Sequence, residues 1–313
     1  MDVMKMIKPL RLKEKDAIGI VAPACSVDRH SLHIGAEKLK RLGFKIKYSS
    51  SIFKKYMGMA GTDRERAEQI NSMFADKNIK AIFCAKAGHG SLRLLPYLDK
   101  KIIAKNPKIF IGYSDIAILL CYLQKVANMI VFHGPVLCGE IHESMNQLTL
   151  KYLLAAITQS APMRKLAFDG IKTLRPSKAD GILIGGNISM IVNSIGAPYE
   201  IDTDNKILFL EDLNESIEAV DSYLMRLKLA GKLDNIKGLI FGRMIGCSGC
   251  LAKGFNIKKI VDNILGNRKI PVIYGFPSGH RRPHGANITL PLGAHTSLDA
   301  NNRCLIINEP AVK

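Results

Sequence analysis

The chain has 313 residues, 47% hydrophobic and 23% charged, a balance that gives two ordinary domains a sizeable core and excludes a disordered polymer. Its 45 Lys and Arg against 27 Asp and Glu leave a formal net charge of +18, a field that draws in anions. The basic residues never run more than two together, as at Lys54-Lys55 or Arg281-Arg282, and no aromatic-interleaved basic patch accompanies them, so no nucleic-acid partner is expected.

Lys5, Lys8, Arg11, Lys13 and Lys15 stand at the start of the chain with no apolar core or cleavage site behind them, which reads as no signal peptide. No uncharged apolar run is long enough to span a bilayer. A cytoplasmic protein with no membrane partner is the expectation. Residues 17–22 and 45–48 read as strands, with a helix over 31–42 that Gly43 terminates. Thr62-Asp63-Arg64-Glu65 is a capping box opening a helix to about residue 74. A strand at 81–85 leads through the turn Ala87-Gly88-His89-Gly90 to a short helix at 92–98. The strand 109–111 then turns through Gly112-Tyr113-Ser114 into a helix from Asp115, and 129–132 is a strand ending at His133-Gly134-Pro135. Strands alternating with helices imply parallel βαβ units. The expected fold is therefore α/β, with a mostly parallel Rossmann- or flavodoxin-like sheet over residues 1–158.

Residues 159–178 lose periodicity and carry two prolines, so they read as a linker. A smaller β/α domain over 179–313 follows. Its strands are expected at 181–184, 207–210, 236–241, 272–274, 287–290 and 304–307. Gly185-Gly186-Asn187 reads as a turn into a helix, a second helix runs from about Ile217 to Gly231, and a third covers 255–265. Seven cysteines include the CxxC Cys247-Ser248-Gly249-Cys250, which has no second pair and no nearby histidine pair to complete a zinc site. Free thiols in a Gly-rich loop are expected there.

Ligands in open α/β sheets gather at the carboxyl ends of strands, and three polar residues follow strand-like runs there: Ser114, Glu211 and His280. A hydroxyl, a carboxylate and an imidazole are the parts of a nucleophile, orienter and base. Each has a plainer reading. Ser114 caps a helix equally well, Asp212 beside Glu211 is an equivalent carboxylate, and His280 is one loop histidine among eight. His284 gives a His-x3-His spacing, but Pro283 and Gly285 disfavour the helix a metal site would need. The two glycine turns at 87–90 and 185–187 have the form of anion cradles, though tight turns explain them nearly as well; a non-enzymatic anion- or nucleotide-binding module that uses them is the rival reading.

In order along the chain stand Ile18-Gly19-Ile20-Val21-Ala22-Pro23, Ala60-Gly61-Thr62-Asp63 with Arg66-Ala67, Gly88-His89-Gly90-Ser91 with Arg93-Leu94-Leu95, and Gly112-Tyr113-Ser114-Asp115. His133-Gly134-Pro135, Gly185-Gly186-Asn187, Leu208-Phe209-Leu210-Glu211-Asp212, Gly279-His280 and Thr289-Leu290-Pro291-Leu292-Gly293 follow. In this order they resemble the LD-carboxypeptidase family, serine peptidases of murein recycling that include the microcin C self-immunity proteins. The resemblance implies a cytoplasmic hydrolase, commonly a homodimer, with its site in the cleft between two α/β domains and no cofactor or metal. It places the nucleophile on Ser114, the carboxylate on Glu211 and the histidine on His280, with oxyanion donors at the backbone N–H groups of Asp115 and Gly88. The implied substrate is a murein tetrapeptide cleaved at an L,D-peptide bond to release D-alanine; the alternative is a microcin C-like peptidyl-nucleotide. Lys86-Ala87 replaces the Arg-Gly usual in the family, and a lysine lacks arginine's planar fork. Lys86 and Arg281 are the candidate contacts to the substrate carboxylate.

Overall fold

The computed structural model describes residues 6–142, 145–247 and 256–313. Its first half alternates β1 (Ala17–Val21), α1 (Arg29–Arg41), β2 (Lys45–Lys47), α2 (Asp63–Ala75), β3 (Ile79–Cys84), α3 (Lys100–Lys105), β4 (Ile109–Gly112), α4 (Ala117–Ala127), β5 (Val131–His133) and α5 (Gln147–Thr158). Helix starts follow their capping chemistry. Asp28 accepts the Ser31 N–H at α1, and Thr62 and Glu65 bond each other's backbone N–H at α2. β3 and β4 are almost wholly apolar and buried, as strands covered on both faces must be.

β1 to β5 are parallel and stand in the order 2-1-3-4-5, the flavodoxin-like winding. The second half adds β6 (Arg164–Ala167), β7 (Lys172–Arg175), β8 (Lys178–Asn187), α6 (Ile188–Asn193), β9 (Lys206–Leu213), α7 (Ile217–Leu229), β10 (Gly238–Ile245), α8 (Ile257–Leu265), β11 (Val272–Tyr274), β12 (Leu290–Leu292), β13 (His295–Asp299) and β14 (Cys304–Ile307). Its eight-stranded sheet runs β6-β14-β13-β8-β9-β10-β11-β7, with β8 to β11 parallel and the flanking strands antiparallel.

Two connections bring the halves together. α4 is apolar on nearly every side and buried along most of its length, because it lies against β8 and α6 as well as its own sheet. β12 leaves the second half and pairs antiparallel with β5 at the edge of the first sheet. The segment from β11 to β12, which carries His280, therefore crosses from one sheet to the other.

Two features in particular differ from the sequence reading. Residues 159–178 are not plain connection: β6 pairs with β14 and β7 with β11. Both are short edge strands with mostly basic or half-exposed side chains, so no apolar alternation marks them. Gly185 and Gly186 belong to β8 rather than to a turn. A Cβ on Gly185 would stand 1.8 Å from the Phe209 carbonyl oxygen, and one on Gly186 2.8 Å from Ala117 Cβ, so these glycines permit close strand and helix approach and do not form an anion cradle. Of the CxxC, Cys247 is a free thiol; Ser248, Gly249 and Cys250 lie outside the described residues, as does Phe255 at the start of the predicted third helix.

Candidate active site

Ser114 follows β4 after one intervening residue, Tyr113, and opens a 3-10 turn, 114–116, that runs into α4. Its φ is +62°, a left-handed conformation that costs a non-glycine residue about 1–3 kcal/mol and persists only where the surroundings enforce it. They do so here. Gly112 lacks the Cβ that would stand 2.7 Å from Ile116 Cγ2, and the buried Asp115 carboxylate accepts the Ser91 N–H at 2.9 Å. Ser114 is not a helix cap: neither the 3-10 turn nor α4 has a side-chain cap bond. The result is a strand–elbow–helix with a half-buried hydroxyl at the bend.

Glu211 lies near the end of β9, opposite Asn187 of β8, and is completely buried. Its Oε2 accepts two hydrogen bonds from His280, from Nδ1 at 2.7 Å and from the backbone N–H at 3.1 Å. Two missing side chains make room for this. A Cβ on Gly242 would stand 2.8 Å from Glu211 Cβ, and one on Gly279, at φ +91°, 2.4 Å from Oε2 itself. Asp212 faces elsewhere. It accepts Asn187 Nδ2 at 2.9 Å and the Ser189 N–H at 3.1 Å, bracing the start of α6. The imidazole's carboxylate is therefore Glu211.

Tyr113, one residue before Ser114, packs edge-on to the His280 ring with centroids 5.1 Å apart. The elbow and the imidazole thus share one wall. Nδ1 is occupied by Glu211, which leaves Nε2 as the nitrogen available to a hydroxyl. Among the described residues neither Nε2 nor Ser114 Oγ has a hydrogen-bond partner; such contacts commonly tighten only with substrate in place.

The electrostatics suit a base. Burial pushes the Glu211 carboxyl up, but the nearby His133 imidazole and the hydrogen bond and charge of His280 outweigh it and hold the group well below the usual carboxylate range. Burial pulls His280 down, while the hydrogen bond and charge of Glu211 outweigh that and raise it above 6.5. Burial and the neighbouring Glu140 push the Tyr113 phenol well up, so it stays neutral.

Gly88 sits in the exposed turn after β3 at φ +132°, and a Cβ there would stand 2.3 Å from Cys25 Sγ. Lys86 and His89 of the same turn are exposed. A wholly buried Arg66 ties this turn to two others: its guanidinium donates to the Pro23 and Gly90 carbonyls and, at 3.2 Å, to Gly61, while pairing with Asp63 at 2.6 Å. Arg281, next to His280, brings its Nε within 3.6 Å of Glu140 Oε1, so its charge is already engaged there. Lys86 and Arg281 thus lie on separate loops. His284 is exposed in the following turn. Sequence reasoning passed over His133 and Glu140, buried polar groups beside the triad candidates; for His133 the signal was its place at the end of a strand before Gly134-Pro135.

The chain matches the family models of the LD-carboxypeptidase N-terminal domain over residues 18–134 and C-terminal domain over 180–298. It is 31% identical to a probable murein peptide carboxypeptidase of Bacillus subtilis over 96% of this chain and 94% of that protein. A solved microcin C7 self-immunity protein in complex with aspartyl sulfamoyl adenosine superposes with a TM-score of 0.90 at 26% identity, covering 98% of this chain and 100% of that one. The muramoyltetrapeptide carboxypeptidase of Oxalobacter formigenes superposes at 0.83 and 26% identity, over 94% and 99%.

Proposed function

We propose that this chain, which belongs to the LD-carboxypeptidase family, is a serine carboxypeptidase that cleaves an L,D-peptide bond of murein tetrapeptides and releases D-alanine. The observation that carries the reading is the 2.7 Å pairing of Glu211 with His280 on the same wall as a serine forced into a left-handed elbow. His280 Nε2 takes the Ser114 proton as Oγ bonds to the carbonyl carbon. Glu211 holds the imidazole with Nδ1 protonated and stabilises the imidazolium that forms. The Asp115 N–H, in a first turn that leaves it without a helical partner, and the Gly88 N–H receive the oxyanion; such donors contribute ~3–4 kcal/mol each. Collapse breaks the C–N bond, and the amine of D-alanine leaves with the proton from His280. Water, deprotonated by the same imidazole, then hydrolyses the acyl-serine. The nucleophile comes from residues 1–158 and the other two members from 179–313, so the cleft between these halves is the proposed site. Lys86 and Arg281 are proposed to meet the substrate carboxylate, and the working form is proposed to be a cytoplasmic homodimer.

The deciding experiment follows D-alanine release from a murein tetrapeptide by wild type and Ser114→Ala. Turnover in wild type alone supports the reading, and a fully active Ser114→Ala with unchanged fold refutes it. A second reading keeps the residues and changes the substrate to a peptidyl-nucleotide; the likeness to a protein solved with aspartyl sulfamoyl adenosine favours it. Parallel assays on a tetrapeptide and on an aminoacyl sulfamoyl adenosine separate the two by kcat/KM.

A further inference from the structure

His133 ends β5, in register with Gly112 of the elbow strand on one side and Leu290 of β12 on the other. Its side chain is completely buried, its ring edge-on to Phe209 at 5.1 Å and to Tyr113 at 6.0 Å. The two ring nitrogens face different groups. Nε2 lies 3.7 Å from Glu211 Oε1, and Nδ1 lies 3.3 Å from the hydroxyl of Ser278, which is itself fully buried.

The carboxylate explains why this matters. Both hydrogen bonds from His280 fall on Oε2, whereas Oε1 and His133 Nε2 are buried atoms with no closer partner. A buried carboxylate oxygen without a donor is costly, and a small rotation of either side chain satisfies both atoms together. If Nε2 carries the hydrogen, Nδ1 must accept, and the Ser278 hydroxyl is the donor at hand.

We infer that His133 is a positioning residue: a neutral imidazole, held in its Nε2–H form by Ser278, that donates to Glu211 Oε1 and thereby turns Oε2 toward His280. The inference rests on the serine-peptidase reading and adds a fourth member behind the triad. A neutral donor suits this place. It anchors the carboxylate without neutralising it, so the charge remains available to the imidazolium that forms at His280.

The test compares His133→Leu, which fills the space but cannot donate, with His133→Gln, whose amide N–H can reach the same oxygen. Losing a hydrogen bond to a charged carboxylate costs about ten- to a hundredfold. His133→Leu is expected to lower kcat about tenfold or more with KM within about twofold, and His133→Gln to recover to within about threefold of wild type. The low-field proton resonance of the His280 Nδ1–H···Glu211 bond should shift or vanish in the first and persist in the second. A folded His133→Leu with wild-type kcat, or a His133→Gln no better than it, overturns the inference. If His133→Leu does not fold, Ser278→Ala decides: a kcat reduced about threefold at constant KM upholds the inference, and an unchanged kcat refutes it. Ser114→Ala, run alongside, reports separately on the serine reading.

Discussion

Replacing Gly279 by alanine perturbs the proposed catalytic dyad through a single methyl group. The new Cβ would stand 2.4 Å from Glu211 Oε2 and 2.6 Å from its Cδ, well inside van der Waals contact. Relief requires either the carboxylate or the 278–280 turn to withdraw, and both lengthen the 2.7 Å and 3.1 Å bonds to His280. A hydrogen bond to a charged group is worth about 1.5–3 kcal/mol, which at about 1.4 kcal/mol per decade predicts a fall in kcat of roughly ten- to a hundredfold. The left-handed backbone adds a cost of its own, and Gly196→Ala isolates it. Gly196 has φ +86°, close to the +91° of Gly279, with nothing within 4 Å of its added Cβ. Steady-state D-alanine release and thermal melts on both variants therefore separate clash from strain. Equal kcat in the two variants would refute the reasoning.

Two further outcomes follow from the same geometry. Because Glu211 raises His280 above 6.5, the acid limb of kcat/KM should have its midpoint above pH 6.5, activity falling as the base is protonated. The linkage has the matching sign: the stability gained from protonated His280 is present below pH 6.5 and lost as pH rises through the raised value. A limb centred at or below pH 6.5 would contradict this. Arg66→Met leaves three loop carbonyls and Asp63 without their donor, so urea unfolding should show a loss of about 3 kcal/mol or more; a loss under about 1 kcal/mol would mean that solvent replaces the guanidinium freely.

The legible parts of this fold were those whose signal is local. The Thr62–Glu65 capping box, the apolar run of β4 before Gly112 and the apolar face of α7 closed by Gly231 each state their structure within a few residues. The illegible parts depend on partners far along the chain. β6 and β7 are strands only because β14 and β11 offer free edges. Gly185 and Gly186 signal a turn in isolation and are strand residues because Phe209 and Ala117 press against them. The same division holds at the site. Ser114, Glu211 and His280 stand out in the sequence as polar residues following strands, but adjacent strand residues point to opposite faces, so the sequence alone does not choose between Glu211 and Asp212. That choice needed the crossing of the β11–β12 segment, which brings His280 to the face of Glu211. His133 was hidden for the same reason: its partners Glu211 and Ser278 belong to the other half of the chain.

Activation of Ser114 by the His280–Glu211 pair can be read by mass spectrometry after treatment with a serine-directed phosphonylating reagent. The account predicts one adduct per chain on the peptide containing Ser114, none in Ser114→Ala, and slow labelling in Glu211→Gln. Modification of a different serine, or D-alanine release from a protein whose Ser114 stays unlabelled, would contradict it.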